Sequence, residues 1–222
     1  MRSIRALVIA AAVAVPCVAS VASAQRGAPF TDSWFWGIKT GGYTLADSGQ
    51  KYIQAPTVGL EWLITRTHGG LYVSGSQTFF SQHTFMLRDP SAPIDSGTRP
   101  VLIKNLRRLD VEIMGFPGEH LNFHPYAGVG FSLGEVSTVQ PQGVFSNDDQ
   151  AAFAESVVDA EKVAFTPLFM AGGQWRLSRV SVFGQLSASP AQKSFILYNG
   201  RPWNFGYEIG LRYNFGSSID RN

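Results

Sequence analysis

"WNFGYEIGLRYNFG", residues 203–216, changes character at every step. Trp203, Phe205, Tyr207, Ile209, Leu211, Tyr213 and Phe215 alternate with Asn204, Gly206, Glu208, Gly210, Arg212 and Asn214. A period of two is the strand period, so this strand has one apolar face and one face of glycine, amide and charge. A soluble barrel would turn the apolar face inward and a membrane barrel would turn it to lipid.

A second strand pattern helps to choose. "PYAGVGFSLGEV", residues 125–136, sets Gly128, Gly130, Ser132 and Gly134 against Ala127, Val129, Phe131 and Leu133. The interior of a narrow eight-stranded barrel is filled by side chains, and crowding there favours small residues beside a few long polar ones. Small and charged inside with bulky and apolar outside is the lipid-facing arrangement.

Alternation and turn residues predict eight strands, at about 33–45, 51–65, 70–84, 100–115, 122–136, 162–176, 179–189 and 202–215. The connections "TRTHGG", "FPGEHLN" and "LSR" are short. They alternate with the long "LRDPSAPIDSGTRP", residues 137–161 and "SPAQKSFILYNGRP", while "ADSGQ" is a shorter member of the long set. Short turns at one rim and long loops at the other fit an antiparallel up-and-down barrel with both termini at the short-turn end.

"SNDDQAAFAESVVDAEK" predicts a short helix within the third long loop. Ser146 or Asn147 is its N-cap, Asp148 and Asp149 fill its first turn, Lys162 stands at its end, and its narrow apolar stripe is Ala152, Phe153, Val157 and Ala160. "KSFILYNG", residues 193–200, is expected to extend strands seven and eight as a hairpin beyond the membrane; the alternative is an exposed apolar patch.

The expected outer face includes Trp34, Trp36 and Ile38 in strand one and Pro56, Val58, Leu60, Trp62 and Ile64 in strand two. In strand four it includes Val101, Ile103, Leu109, Val111 and Ile113, with Asn105 and Arg107 interrupting it. Met170 and Phe183 fall on the expected inner face. The inner-face charges are Lys39, Glu61, Lys104, Arg108, Asp110, Glu112, Arg176, Glu208 and Arg212, which are expected to pair across the lumen because an unpaired buried charge is costly. Such a network is either a structural plug or an ion path, and the plug is the expectation. Trp34, Trp62, Trp175, Trp203, Tyr207, Tyr213 and Phe215 are candidates for aromatic girdles at the membrane surfaces.

The first 24 residues read as a secretory signal peptide: Arg2 and Arg5, an apolar run from Ala6 to Val18, then Ala22, Ser23 and Ala24 before a cleavage point. Residues 25–222 are then one barrel domain. A lipoprotein reading of Cys17 is disfavoured by Pro16, where a small residue is expected, and cleavage after Ala24 removes the sole cysteine. Loss of Arg2 and Arg5 takes Lys plus Arg from 18 to 16, against 16 Asp plus Glu. No basic run exceeds the Arg107, Arg108 pair, so a nucleic-acid partner is not expected.

The signal peptide, "PYAGVGFSLG" at 125–134 and "YEIGLRYNF" at 207–215 together resemble the small outer-membrane β-barrel proteins of Gram-negative bacteria, the OmpA-type, OmpX-type and OmpW-type families. The resemblance implies an eight-stranded transmembrane barrel in contact with outer-membrane lipid and lipopolysaccharide, monomeric. It also implies that a last strand ending in an aromatic residue, here Phe215, is read by the barrel-assembly machinery.

No cofactor motif stands in the chain. His120 and His124, with Glu119, have the i, i+4 spacing of a helical zinc pair, but Gly118, Pro125 and the short connection favour turn histidines. Ser81, two residues before His83 and followed by Asp89, is the nearest approach to a lipid A deacylase or acyltransferase, without a motif specific to one. The expected function is therefore structural or interactive. A narrow porin-like channel is the alternative, and a lipid A-modifying enzyme a second.

Overall fold

A computed structural model describes residues 29–46, 52–85, 100–117, 122–145, 147–198 and 202–218. Residues 1–24 with Cys17, the 47–51 and 86–99 connections with Asp89, Glu119 and His120, and Ser146 lie outside the described residues.

Eight strands form the wall: β1 Ser33–Ala46, β2 Tyr52–Thr65, β3 Gly69–Phe85, β4 Pro100–Gly115, β5 Phe123–Pro141, β6 Val163–Leu177, β7 Val180–Pro190 and β8 Trp203–Ser217. Each pairs antiparallel with its neighbours in chain order, and β8 returns to β1 to close the barrel. The chain enters and leaves at the short-turn end, where Ser218 N–H donates to the Asp32 carbonyl at 2.7 Å.

Register sets the shape. From Pro125 the paired residues run through Gly173, Gly184, Ile209, Thr40, Val58, Gln77 and Arg107 and return to β5 at Glu135. That stagger of ten residues along β5 tilts the strands by roughly 40°.

Most of the expected faces hold. Trp34, Trp36, Ile38, Val58, Leu60 and every odd residue from Trp203 to Phe215 face outward, while Met170 and Phe183 are buried inside. Strand four is the exception. Val101 and Ile103 are expected outside but are fully buried, because Asn105 adopts a positive φ of 54° and the β3–β4 register shifts between Thr78 and Ser81. The irregularity inverts the alternation beyond it and aims both side chains into the mouth of the barrel. Strand five is also longer than expected, reaching Pro141.

The third long loop contains α1, Asp148–Glu161, capped by Asn147, whose Oδ1 accepts from Gln150 N–H at 2.8 Å. Its buried face is Gln150, Ala154 and Val158, a strict i, i+4, i+8 row, rather than the expected stripe, of which Ala152, Phe153 and Ala160 are exposed. What the helix packs on decides its face; its own amphipathicity is weak. The hairpin expected at 193–200 does not form, since β7 ends at Pro190 and β8 begins at Trp203. Instead residues 191–198 turn inward: Ile196 is buried, and its N–H donates to the Glu161 carbonyl at 2.9 Å. An apolar side chain with a packed mouth beneath it is better buried there than exposed on an extended ribbon.

The interior thus has three layers. At the short-turn end Phe30, Phe35, Leu63, Tyr72, Met114, Phe116, Tyr126 and Met170 form an apolar cluster. At the long-loop end Tyr43, Ala55, Val101, Ile103, Leu106, Val136, Val158 and Ile196 form a second. The charged residues lie between them.

Candidate functional site: the lumen network

Seven of the nine expected inner charges, Lys39, Glu61, Arg108, Asp110, Glu112, Glu208 and Arg212, are more than nine-tenths buried. Strand pleat aims them inward, and neighbouring glycines make room. Gly37 pairs with both Glu61 and Arg212, Lys39 with both Gly59 and Gly210, and Gly41 with Glu208. A long side chain on one strand therefore faces a bare backbone on the next. A Cβ at Gly37 would stand 2.6 Å from Glu61 Oε1, and one at Gly128 2.9 Å from Glu112 Oε2.

Two ionic groups result. Glu208 Oε2 accepts from Lys39 Nζ at 2.9 Å and from Gln185 Nε2 at 2.7 Å, while its Oε1 accepts from Arg108 Nη2 at 3.4 Å. Lys39 Nζ also donates to Ser74 Oγ at 3.0 Å and Tyr72 OH at 3.3 Å. Arg108 reaches Asp110 Oδ2 at 3.4 Å, and Asp110 Oδ1 accepts from Ser132 Oγ at 2.6 Å. In the second group, Arg212 grips Glu61 through Nε at 2.5 Å and Nη2 at 3.3 Å, and Nη1 donates to Gln174 Oε1 at 2.7 Å.

Gln185 and Tyr72 join the groups. Gln185 Nε2 donates to Tyr72 OH at 3.1 Å, and Tyr72 OH donates to Glu61 Oε2 at 2.9 Å. Both guanidinium groups also lie over rings, Arg212 3.9 Å from the Phe183 centroid and Arg108 4.5 Å from that of Tyr43. Ionic hydrogen bonds with additional polar and π partners are what make buried charges tolerable.

The network has an incomplete side. Oε2 of Glu112 has no hydrogen-bond partner among the described residues. Lys104 stands apart from the group because the inversion at Asn105 leaves it only half-buried. Arg176 keeps the inner parity but lies half-buried at the short-turn rim, two positions after Gln174. Sequence reading missed Tyr72, Gln185, Gln174 and Ser74. Their strands alternate less cleanly, and uncharged side chains give no signal of which partner they will meet.

Side chains also gather at both ends of the lumen. Phe30, on the chain before β1, stacks on His124 with centroids 4.0 Å apart and meets Phe116 edge-on at 4.9 Å. Asn214 Nδ2 holds the Pro29 carbonyl at 2.9 Å, and Thr65 Oγ1 donates to the Phe30 carbonyl. His124, expected in a turn, is instead the second residue of β5 and buried. The chain folding under the barrel gives the ring an aromatic partner. At the opposite end α1 and Ile196 cover the mouth.

The fold has counterparts among solved structures. The crystal structure of Neisserial surface protein A matches 82% of this chain and 97% of its own, with a TM-score of 0.54 and 11% identity. This is the fold of a small outer-membrane barrel. The crystal structure of Ail, the attachment invasion locus protein of Yersinia pestis, covers 84% of this chain and 100% of its own at TM-score 0.49 and 11% identity. No family model matches the sequence, and no curated protein matches it.

On the outside of this outer-membrane-type barrel, aromatics gather near the strand ends. Trp34, Trp62, Trp175, Tyr213 and Phe215 lie towards the short-turn end, with Trp34 edge-on to Trp62 at 5.7 Å and Tyr213 edge-on to Phe215 at 5.0 Å. Trp203 and Phe165 lie towards the other end. Trp203 to Tyr213 on β8 and Phe165 to Trp175 on β6 each span ten positions. At ~3.3 Å per residue and ~40° tilt, ten positions rise ~25 Å, the height of an apolar band in such barrels. Tyr207 joins neither row. It is the fifth of the fifteen residues of β8, with its ring over Gly42, and its OH donates to Gln54 Oε1 at 3.4 Å. Ser81 and His83 are exposed near the long-loop end of β3.

Proposed function

We propose that this protein resides in the bacterial outer membrane with termini in the periplasm and long loops outside, and that its role is structural or interactive rather than conductive. One observation supports the reading: a cross-linked ionic layer lies between two apolar clusters in the barrel interior. A permeant ion would have to break buried ion pairs, each break costing about 3–5 kcal/mol. What remains available for function is the exterior. The wall contacts lipid, β8 presents the aromatic strand to be read by assembly machinery, and the cap of α1 and residues 191–198 offers a surface to lipopolysaccharide or a protein. A single closed barrel leaves no strand edge to pair with a second copy, which supports a monomer.

The test has three parts. The protein should fractionate with outer membranes and migrate differently on a detergent gel before and after boiling; recovery in the soluble periplasm sinks the reading. In planar bilayers it should give no conductance steps, whereas steps altered in Arg108→Gln or Glu208→Gln would establish the channel instead. Lipid A should keep its mass on expression, and a mass change abolished by Ser81→Ala would establish the enzyme.

A further inference from the structure

A groove of about 650 Å³ runs across the outer wall at mid-height, where β7, β8, β1 and β2 meet. Its sides are Ile38, Val58, Leu60, Val182, Ile209 and Leu211. Its floor is the backbone of the paired row Gly59, Lys39 and Gly210, positions whose side-chain direction is inward.

The hydroxyl of Thr40, which also lines the groove, donates to the Thr57 carbonyl at 3.1 Å, so Thr40 presents its methyl group. No lining side chain seeks a polar ligand. The volume is that of a small-molecule site. The ten lining residues fall well short of the roughly 20–30 a side that a stable protein interface uses. A concavity walled by carbon neither hydrates well nor stays empty beside fluid hydrocarbon, since an unfilled void forfeits contacts along its whole lining.

The two sides of the groove differ. On the long-loop side the Tyr207 ring lies over Gly42, and its bond to Gln54 crosses β1 from β8 to β2. This clasp stands on the long-loop side of the groove, and Leu211 and Val182 line its short-turn side. We propose that this groove is a specific seat for one acyl chain of a periplasmic-leaflet phospholipid, its methyl end lying over the Gly59, Lys39 and Gly210 row. The site rests on the membrane reading given above.

The test uses the full chain folded into vesicles of phosphatidylethanolamine doped with the same lipid carrying a diazirine at the end of one acyl chain. After illumination, adducts should concentrate several-fold on peptides of β1, β2 and β8 relative to β4 and β5. Val58→Trp, which fills the groove from an exposed position, should remove that excess and leave the heat-dependent gel shift unchanged. Even labelling around the barrel, or an undiminished excess in Val58→Trp, overturns the site. So does a dimer that Val58→Trp dissociates, because a second copy would then be the occupant, or labelling that appears only with an analogous lipid A probe. Failure to insert into vesicles overturns the membrane reading and the site together, whereas insertion with even labelling overturns the site alone.

Discussion

Arg212 and Glu61 stand 151 positions apart in the chain and meet inside the barrel, with Nε 2.5 Å from Oε1, across a glycine. Gly37 on β1 is the registered partner of both, and its bare Cα is the reason two long side chains from β8 and β2 can join over the strand between them.

Removing one member should therefore cost far more than removing both. Arg212→Met leaves Glu61 buried and unpaired and is expected to destabilise by about 3–5 kcal/mol. Glu61→Gln combined with Arg212→Met should recover most of that loss. Urea unfolding from lipid vesicles, followed by tryptophan fluorescence, measures both; a double variant as unstable as the sum of the singles would contradict the pairing.

On the outer wall, Gly42 is the space that Tyr207 occupies. A Cβ there would stand 2.6 Å from the phenol carbon and oxygen. Gly42→Val should displace the ring and destabilise by about 1–3 kcal/mol. Paired with Tyr207→Ala it should cost much less, a non-additivity that the same unfolding assay reads directly.

Asn105 holds a left-handed backbone at φ 54°, and its Oδ1 accepts from Phe80 N–H at 3.4 Å. Asn105→Gly should be well tolerated. Asn105→Val should cost about 1–2 kcal/mol, since a β-branched residue resists this conformation. If the valine variant is as stable as the native chain, the inversion of β4 does not depend on this residue.

Val158 anchors α1 on the barrel mouth, where it is wholly buried. Val158→Asp should detach the cap without opening the wall. The expected result is rapid proteolysis between β5 and β6 with the heat-dependent gel shift retained. Loss of that shift would mean that the cap is needed for the barrel itself.

The sequence by itself determined the strand count, the rhythm of short and long connections, and which face of β1, β2, β5 and β8 turns outward. The reason is that a two-residue period and turn chemistry are local properties. It also singled out seven of the buried charges, because inward parity is read along each strand separately. Tertiary structure alone decided everything that depends on register. A stagger of ten residues around the wall sets Arg212 opposite Glu61 over Gly37, brings Gln185 and Tyr72 into the network, and gathers residues of four strands around one groove on the outer wall. It likewise decided that Val101 and Ile103 point inward, since one positive φ at Asn105 reverses a pattern that the residue types around it do not announce. Burial of Val158 and Ile196 followed from an apolar mouth made by distant strands. Neither a weakly amphipathic helix nor a loop segment encodes in its own residues the surface it will meet.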